Sequence, residues 1–390
     1  MDKDTTTNNT NRRRYNQDKT DFIPIIGSGT IGSYTAYLLA KQGNNVTLYE
    51  DHDKIGLPCH CTGIVTSGLL DILDLSKLKP ELIVNRLKKV KVVAPNNSSI
   101  ILKSNDIVLD RVGFDVFLAE KAVDAGAKLE YNHKFMGFDA QKKQLTLKNK
   151  DIIKTVAADK VIAADGPNSQ LFNYVNPNLK REPWIGVQVV IKGEFDKEMY
   201  EAYLGSEFAP GFFAWVVPES ESTAIIGLAT KEKTNFYFEK FMKQRCGDNW
   251  KSRVQSYRGG LIPLYNRKVV CEKQGVFLVG DAALQVKATT GGGIIPGMKA
   301  AQALADSFRT GKAYDKLWRK YTGKDLWMHL MIRKAMNNSS DEEYNWLVEL
   351  ANKQKPKALI ENIEREHAFR LMMRLFIAEP RFLYFAKHML

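Results

Sequence analysis

The chain has 390 residues and a mass of 44.2 kDa, with 44% hydrophobic and 26% charged residues. This length and composition predict a globular protein of about two or three domains, and no apolar run reaches the roughly 18 to 20 residues that a membrane-spanning helix needs. Its length and only four cysteines exclude a small disulfide-framed secreted protein, so we expect reduced thiols.

The formal net charge of +13 is spread over the whole chain. It is compatible with a phosphorylated substrate, a nucleic acid or an acidic membrane surface, and equally with a solvated basic surface that has no dedicated partner. No basic and aromatic motif accompanies the charge, so we expect no nucleic-acid partner. The first residues are polar rather than a signal-peptide core, which predicts a cytoplasmic protein.

The first predicted elements form a βαβ unit. Residues 1 to 20 are rich in Asn, Thr and charge, which predicts a disordered tail. A strand is predicted over residues 22–26, a helix from the following glycines to Gln42, and a second strand over residues 46–49.

Gly27, Gly29 and Gly32 between this strand and helix match the dinucleotide fingerprint, and Glu50 follows about 20 residues later. Glycines allow backbone N–H groups to approach a pyrophosphate, and Glu50 can accept hydrogen bonds from ribose hydroxyls. A purely structural glycine turn is the alternative. Pro24 has no N–H to give to a central ladder, so we expect a bulge or a locally altered strand there.

The next elements are strands and then helices. We predict strands near residues 87–94 and 100–109, a helix over 112–125, short strands from 128 to 164, mostly strand over 184–229 with 211–218 and 223–229 as antiparallel neighbours, a helix over 235–245, and helices beyond about residue 300.

Two further predicted strands end beside a carboxylate. Asp165-Gly166 follows a strand over residues 161–164, and Gly280-Asp281 follows one over 276–279. A carboxylate at a strand end, next to a glycine-opened helix, can hold polyol hydroxyls. Three nucleotide-facing strand ends therefore favour FAD over NAD.

These motifs together resemble those of a known family. The glutathione-reductase-type FAD fold of flavoprotein hydroxylases has motifs similar to five in this chain. These are GSGTIG, Glu50, Asp110-Arg111-x-x-Phe114-Asp115, Asp165-Gly166 and Gly280-Asp281. More narrowly, residues 58–63 (PCHCTG), 213–218 (FAWVVP) and 289–294 (TTGGGI) resemble motifs of the geranylgeranyl reductase family, which includes archaeal enzymes that saturate digeranylgeranylglycerophospholipids. The resemblance covers about residues 21 to 305.

The resemblance implies an α/β chain, α+β overall. We expect a glutathione-reductase-type, Rossmann-like FAD-binding domain over residues 21–178 and 258–310, an antiparallel-sheet substrate domain over 179–257, and a helical C-terminal region over 311–390. FAD is the implied cofactor. The implied cofactor-binding residues are Gly27, Gly29, Thr30, Ile31, Gly32, Glu50, Cys61, Thr62, Gly63, Arg111, Asp165, Gly166, Gly280, Asp281, Gly291, Gly292, Gly293 and Ile294.

Particular roles follow from the resemblance. Arg111 would contact FAD, and Asp281 would bind its ribityl or pyrophosphate portion. Residues 291–293 would pass beside the isoalloxazine ring, where side chains would collide with it, and a helix starting near Ile294 would direct N–H groups at the pyrimidine edge. Ser28, Thr30 and Ile31 depart from the more usual Ala, Pro and Ala, which weakens the adenine-end assignment slightly.

The implied activity is reduction of isolated C=C bonds in geranylgeranyl chains of a lipid precursor. Cys61 is the candidate proton source or active-site modulator, with a packing or loop cysteine as the alternative. Phe213, Trp215 and Pro218 are candidate walls of a substrate tunnel, although an ordinary sheet core has the same composition. Reduced ferredoxin or NAD(P)H would supply electrons.

Other interpretations stay open at this stage. A flavin monooxygenase or halogenase is the alternative enzyme on the same fold, and a noncatalytic FAD-binding module is a third class. Cys59-His60-Cys61 with Cys246 and Cys271 suggests zinc, but the spacing is unusual and we expect no metal. Residues 368–390 mix basic and apolar side chains, which fits either a membrane interface on the inner face or packing against the body or a second subunit.

Overall fold

The computed structural model describes residues 22–69, 71–73 and 79–389, and the tail predicted over residues 1 to 20 lies outside them. Its strands are β1 (Phe22–Ile26), β2 (Asn45–Tyr49), β3 (Ile64–Val65), β4 (Ile83–Val93), β5 (Ser99–Leu109), β6 (Lys128–Glu130), β7 (Lys134–Asp139), β8 (Gln144–Asn149), β9 (Ile152–Ala157), β10 (Val161–Ala163), β11 (Trp184–Lys192), β12 (Met199–Tyr203), β13 (Ala214–Pro218), β14 (Thr223–Thr230), β15 (Val254–Ile262), β16 (Glu272–Lys273) and β17 (Val276–Leu278). Its α-helices are α1 (Thr30–Lys41), α2 (Arg111–Asp124), α3 (Gln170–Val175), α4 (Thr234–Cys246), α5 (Ile294–Thr310), α6 (Tyr314–Trp318), α7 (Lys324–Asn337), α8 (Asp341–Ala351), α9 (Gln354–Asn362) and α10 (Ala368–Ala378).

The first sheet has the strand order β16-β17-β10-β1-β2-β6. All its strands except the short edge strand β16 run parallel, and α1 packs against α2 and α5. β1, β2 and β10 are almost entirely buried apolar residues, as expected for strands covered on both faces. Because parallel strands share one direction, the turns after β1, β2, β10 and β17 meet at a single edge.

The expected distortion at Pro24 was wrong. Pro24 stands opposite Thr47 in an unbroken β1–β2 register, and no bulge interrupts the pairing. On the other side of β1 the ladder with β10 begins only at Ile25. The proline therefore lies beyond the end of that short ladder, where a missing N–H removes no described strand pair.

The second sheet has the strand order β15-β11-β14-β13-β12-β4-β5-β3 and is antiparallel except between β12 and β4. The predicted antiparallel neighbours are confirmed as β13 and β14, where Trp215 stands opposite Gly227. This sheet also includes residues 83–109, so it draws strands from both sides of the predicted boundary at residue 178. The division into domains stays a prediction.

Further elements form a third sheet and the C-terminal helices. β7, β8 and β9 form a separate antiparallel sheet, and α6 to α10 form the predicted helical C-terminal region. α10 packs against both α7 and α9. No helix in the described part of the chain is both long and apolar enough to cross a bilayer.

Candidate functional site

The glycine turn after β1 contains two glycines that the protein itself requires. Gly27 has a φ of +92°, and a Cβ there would lie 2.6 Å from the Ala164 carbonyl oxygen. A Cβ on Gly32 would lie 1.9 Å from the Gly27 carbonyl oxygen, so only glycine allows α1 to start this close to the turn. A Cβ on Gly29, in contrast, would meet no atom within 4 Å. The N-terminus of α1 therefore faces open space at Gly29.

Glu50 is buried at the end of β2 and holds this turn. One carboxylate oxygen accepts hydrogen bonds from the Ser28 backbone N–H at 3.0 Å and the Ser28 hydroxyl at 2.6 Å, and the other contacts His52 Nδ1 at 2.7 Å. Burial opposes ionisation, but the hydrogen bonds from Ser28 and His52, taken together with that from Asp51, outweigh it, so the pKa of the Glu50 carboxyl lies below its ordinary value. A ribose hydroxyl would have to share an oxygen that Ser28 or His52 already contacts.

Thr30 and Arg111 lie in one buried polar cluster. Arg111 Nη2 donates to Thr30 Oγ1 at 2.7 Å and to Asp115 Oδ1 at 2.9 Å, and Thr30 Oγ1 donates to Asp115 Oδ1 at 2.5 Å. Arg111 Nε is buried and has no hydrogen-bond partner among the described residues. Thr30, one of the departures in the first turn, thus joins the helix start to Arg111.

Asp165 and Asp281 follow β10 and β17 at the same edge. Burial raises the pKa of each carboxyl to about 6. Asp165 Oδ1 has no partner among the described residues. A Cβ on Gly280 would touch Ile31 at 3.0 Å, so the turn after β17 contacts the turn after β1. A buried carboxylate oxygen without a donor, such as Asp165 Oδ1, is suited to accepting a hydrogen bond from a hydroxyl group.

The glycine triplet passes directly beside Asp281. A Cβ on Gly293 would lie 2.6 Å from Asp281 Oδ1, one on Gly292 would lie 3.0 Å from Lys287 Cε, and one on Gly291 would lie 3.0 Å from Ile262 Cγ2. Protein atoms alone therefore disfavour side chains here, which is a different reason from the predicted collision with a flavin. α5 begins at Ile294, as predicted, with Gly293 preceding its first turn.

These residues fit a nucleotide cofactor. The open space at Gly29, the unpartnered Arg111 Nε and the unpartnered Asp165 Oδ1 lie around one sheet edge. Helix N–H groups and a guanidinium suit phosphate, while carboxyl groups suit hydroxyls. Gly166, with a φ of +77°, also has open space around it. Polar groups left without protein partners are what a bound dinucleotide would satisfy.

The loop containing Cys61 is tied to the second sheet through Gln188. Gln188 Oε1 accepts from Thr62 Oγ1 at 3.0 Å and from Trp215 Nε1 at 3.3 Å, and its amide donates to the His60 carbonyl at 3.1 Å. Sequence reasoning missed Gln188, because a single polar residue inside an apolar strand gave no motif. The second sheet curls enough to bring β11 to the loop that leads into β3.

Cys61 is exposed, and its sulfur accepts from the Gly63 N–H at 3.4 Å. Gly63 has a φ of +85°, and a Cβ there would lie 2.5 Å from the Leu109 carbonyl oxygen and 3.3 Å from Arg111 Cγ. The thiol loop therefore passes next to Arg111. Within the described residues, the group of side chains close enough to hold a metal consists of Glu50, Asp51 and His52 and includes no cysteine.

The predicted substrate residues separate into two places. Phe213 stacks on Phe212 at 4.6 Å between ring centroids and meets the Trp215 ring at 5.7 Å. We call Phe212, Phe213 and Trp215 the aromatic wall. Pro218 lies at the other end of β13, about 16 Å from Phe213 at the usual rise of a strand. Its carbonyl oxygen accepts a hydrogen bond from the Asn85 side-chain amide. Phe213 and Trp215 share a site, and Pro218 does not lie beside them.

The C-terminal region also contacts the loop that precedes the glycine triplet. Lys287 Nζ pairs with Glu366 at 2.7 Å, and His329 Nδ1 lies 2.7 Å from Thr289 Oγ1. Burial, reinforced by the charge of Lys287, lowers the pKa of His329 to about 3, so this histidine is neutral. No sequence motif includes His329. Its contact with residue 289 is a tertiary feature that no local spacing reveals.

Comparisons with known proteins agree with this architecture. Residues 25–69 match a model of an NAD(P)-binding Rossmann-like domain, and residues 185–262 match a model of the geranylgeranyl reductase catalytic domain. The chain is 30% identical over 353 residues to digeranylgeranylglycerophospholipid reductase 2 of Methanothermobacter thermautotrophicus, covering 84% of this chain and 90% of that protein.

Two solved structures show the same fold. A geranylgeranyl bacteriochlorophyll reductase-like protein from Thermoplasma acidophilum superposes with a TM-score of 0.81 at 24% identity, covering 95% of this chain and all of that one. The flavin-dependent brominase Bmp2 superposes with a TM-score of 0.68 at 16% identity, covering 93% and 99%. The sequence likeness over most of both chains shows what the fold alone does not: the chain belongs to the geranylgeranyl reductase family of digeranylgeranylglycerophospholipid reductases.

Proposed function

We propose that this protein is an FAD-dependent reductase that saturates isolated C=C bonds of geranylgeranyl chains in archaeal-type membrane lipid precursors. The observation that carries the proposal is the meeting of the glycine turn, Asp165, Asp281 and the glycine triplet at one sheet edge, beside the Cys61 loop and the aromatic wall. Family membership supplies the reaction class.

Each part of the edge has a role in this proposal. The N-terminus of α1 at Gly29 would bind the pyrophosphate of FAD, Glu50 the ribose, and Asp165 and Asp281 the ribityl hydroxyls. Arg111 would use its free Nε toward the same cofactor. When bound, reduced FAD would supply the hydride. The N-terminus of α5 carries a partial positive charge, which favours negative charge placed beside it.

The chain itself would supply the proton and exclude water. An isolated alkene has no carbonyl to delocalise charge, so the second carbon needs a proton donor. Cys61 is our candidate because its loop is held between Arg111 and Gln188. Phe213 and Trp215 would form an apolar surface against the isoprenoid chain. Pro218 stays a proposed contact further along β13.

We also propose a peripheral contact with the inner membrane face through α10. Arg370, Met373, Arg374 and Ile377 recur at helical spacing and are all exposed, and Ile377 is 79% exposed. None of the described ion pairs includes either arginine. A groove of about 560 Å³ between α9 and α10 is lined by both arginines and adds Lys355, together with the acidic Glu364, to this face. Basic and apolar side chains on one helix face suit an anionic lipid surface.

The function is tested by anaerobic incubation of dithionite-reduced, FAD-loaded protein with a geranylgeranylated glycerophospholipid, followed by mass analysis. Products heavier by pairs of hydrogens are expected. The shared fold of the brominase favours a flavin-dependent halogenase or monooxygenase as the second candidate, which would need O₂ and give oxygenated or halogenated products. A protein that binds flavin but gives no product either anaerobically or with O₂ would be a noncatalytic FAD-binding module.

The electron donor is tested in the same system. Reduced ferredoxin and NAD(P)H are added separately to the oxidised protein. The loss of the absorbance of oxidised flavin is followed by stopped flow. The physiological electron donor is the one that reduces the flavin at a rate no slower than the turnover of the lipid substrate.

A further inference from the structure

Arg333 is a buried cation that the proposed function does not use. It lies on α7, is 1% exposed, and belongs to none of the ion pairs in the described part of the chain. Burial lowers the pKa of its guanidinium to about 10, which still leaves it charged at neutral pH. A buried charge without a counterion is costly, so its contacts must offset that cost.

The contacts of Arg333 join two loops of the candidate site. Nε donates to the Ala288 carbonyl at 3.0 Å, Nη2 to the Thr289 carbonyl at 2.7 Å, and Nη1 to the Phe212 carbonyl at 3.4 Å. The first two carbonyls lie just before the glycine triplet, and the third belongs to the aromatic wall. One rigid guanidinium therefore holds both.

Aromatic faces complete the surroundings of Arg333. Its guanidinium carbon lies 4.9 Å from the Phe212 ring centroid and 5.8 Å from that of Trp184. A Cβ on Gly291 would lie 3.3 Å from the Phe212 ring. The Phe212 ring thus contacts Arg333 and also lies against the glycine triplet. Cation–π attraction adds to the three hydrogen bonds.

Neighbouring side chains on the same face of α7 act on the same loops. His329, four residues earlier, contacts Thr289. Asn337, four residues later, donates its amide to the Gly211 carbonyl at 3.1 Å in the orientation that hydrogen bonding favours. Residues spaced by four lie in a row along one side of a helix. α7 therefore presents a row of three polar groups to residues 211–212 and 288–289.

We propose that Arg333 is a positioning residue that fixes the distance between the glycine triplet and the aromatic wall. This inference rests on the proposed function in one respect, that the triplet borders the cofactor and the wall borders the substrate. Arginine suits the role because its planar fork donates in several fixed directions, whereas lysine is a point charge on a flexible stem. A shift of about 1 Å in reacting groups can lower a rate by about 100-fold.

The test compares Arg333→Lys with the exposed control Lys334→Met on the same helix. In hydrogen exchange of the full-length protein without cofactor, the Lys287 and Gly291 amides, which are bonded within the loop, should exchange at least tenfold faster in Arg333→Lys. Exchange in β1 and α1 should not change. With FAD and lipid, kcat should fall at least tenfold while KM changes less than threefold.

Three results would overturn the inference. They are unchanged exchange at residues 287–293, faster exchange throughout the chain, or a loss of activity that appears only in KM. Lys334→Met should match wild type in every arm. Arg333→Met, which also removes the buried charge, is the second variant and should show the same local exchange and the same kcat loss.

A measurement on the wild type keeps the inference falsifiable if neither variant folds. The Lys287 and Gly291 amides should then be protected to within tenfold of the α5 amides, and exchange as fast as in the exposed turn at residues 140–143 would contradict the proposal. If wild type binds no flavin or reduces no lipid, the proposed function fails, while the exchange arm still decides the role of Arg333.

Discussion

At the scale of single residues, the candidate site holds polar groups that the protein leaves without partners. Asp165 Oδ1 and Arg111 Nε are two such atoms. Burial also raises the pKa of the Asp165 and Asp281 carboxyls to about 6. Unpaired buried polar groups cost stability and are retained where they serve a ligand.

Replacing Asp281 by Asn should stabilise the cofactor-free protein at neutral pH. An acid whose pKa is raised by folding binds more protons when folded, so stability falls as pH rises from 3.8 to about 6. Asp281→Asn should therefore raise the free energy of unfolding at pH 7 by about 1 to 2 kcal/mol, and the gain should shrink toward pH 4. Denaturant titrations at several pH values measure this, with the exposed Asp124→Asn as control.

The same variant should weaken FAD binding about tenfold, since a carboxylate accepts stronger hydrogen bonds from hydroxyls than an amide does. A gain in stability that is equal at every pH would contradict the assignment of the raised pKa. Unchanged FAD affinity would remove Asp281 from the cofactor site.

Replacing Cys61 by Ala should lower the rate of alkene reduction at least tenfold and leave the FAD content intact. A proton donor contributes roughly 100- to 10,000-fold to such a step. Turnover under anaerobic conditions measures the effect. Cys59→Ala, two residues away in the same loop, is the matched control and should stay near wild type. A Cys61→Ala protein with wild-type turnover would show that the thiol is a loop cysteine only.

At the scale of elements, the β1–α1 turn assigns different tasks to its glycines. Gly27 and Gly32 are required by contacts within the protein, while Gly29 borders open space. The backbone at Gly29 has a φ of −64°, which other residues also adopt. Neither a protein contact nor the backbone conformation therefore requires glycine at position 29, and a bound ligand is the remaining reason for it.

Replacing Gly32 by Ala should destabilise the protein by about 3 kcal/mol, because the new Cβ overlaps the Gly27 carbonyl. Gly29→Ala should change the free energy of unfolding by less than about 0.5 kcal/mol yet reduce FAD affinity at least tenfold. Thermal unfolding and flavin titration separate the two outcomes. Full FAD affinity in Gly29→Ala would argue against a pyrophosphate at this helix start.

At the scale of the whole molecule, the C-terminal region serves both as core and as surface. Leu375, Phe382 and Phe385 pack with Leu350 in a buried cluster. Arg333 and Glu366 contact Thr289 and Lys287, in the loop that precedes the glycine triplet. Packing against the body is therefore confirmed for one face of residues 368–390, and membrane contact through the exposed face stays a proposal. Deleting residues 368–390 would remove part of this buried cluster, so charge reversal on the exposed face is a more specific test of membrane contact.

Changing Arg370 and Arg374 together to Glu should weaken binding to vesicles that contain anionic lipid, while activity on detergent-dispersed substrate stays near wild type. Each basic residue near such a surface contributes about 1 kcal/mol, so a loss of roughly tenfold or more is expected. Co-sedimentation measures it. Lys128→Glu with Lys150→Glu makes the same charge change in β6 and in the turn between β8 and β9. If both double variants lost vesicle binding equally, the effect would come from net charge and not from a contact at α10.

Local chemistry determined much of this protein in advance. The periodicity of residues 22–49 fixed β1, α1 and β2 to within a residue or two, because burial of a strand and a helix face leaves a repeating pattern. The positions of Asp165 and Asp281 after strands indicated a shared edge, because parallel strands end on one side. Pro24 lies in a strand as predicted, but the bulge or altered strand expected there was wrong, because the β1–β2 register is unbroken.

Only the tertiary structure decided which distant groups complete the site. The amide of Gln188 reaches the His60 carbonyl across 128 positions, and Arg333 reaches Phe212 across 121. Such contacts depend on how the second sheet curls and how α7 packs, which no short motif encodes. The sequence by itself set the glycine turn and the strand-end carboxylates, since backbone geometry is local. Packing decided the rest, since the partners of a buried polar group come from wherever the fold brings a donor or an acceptor.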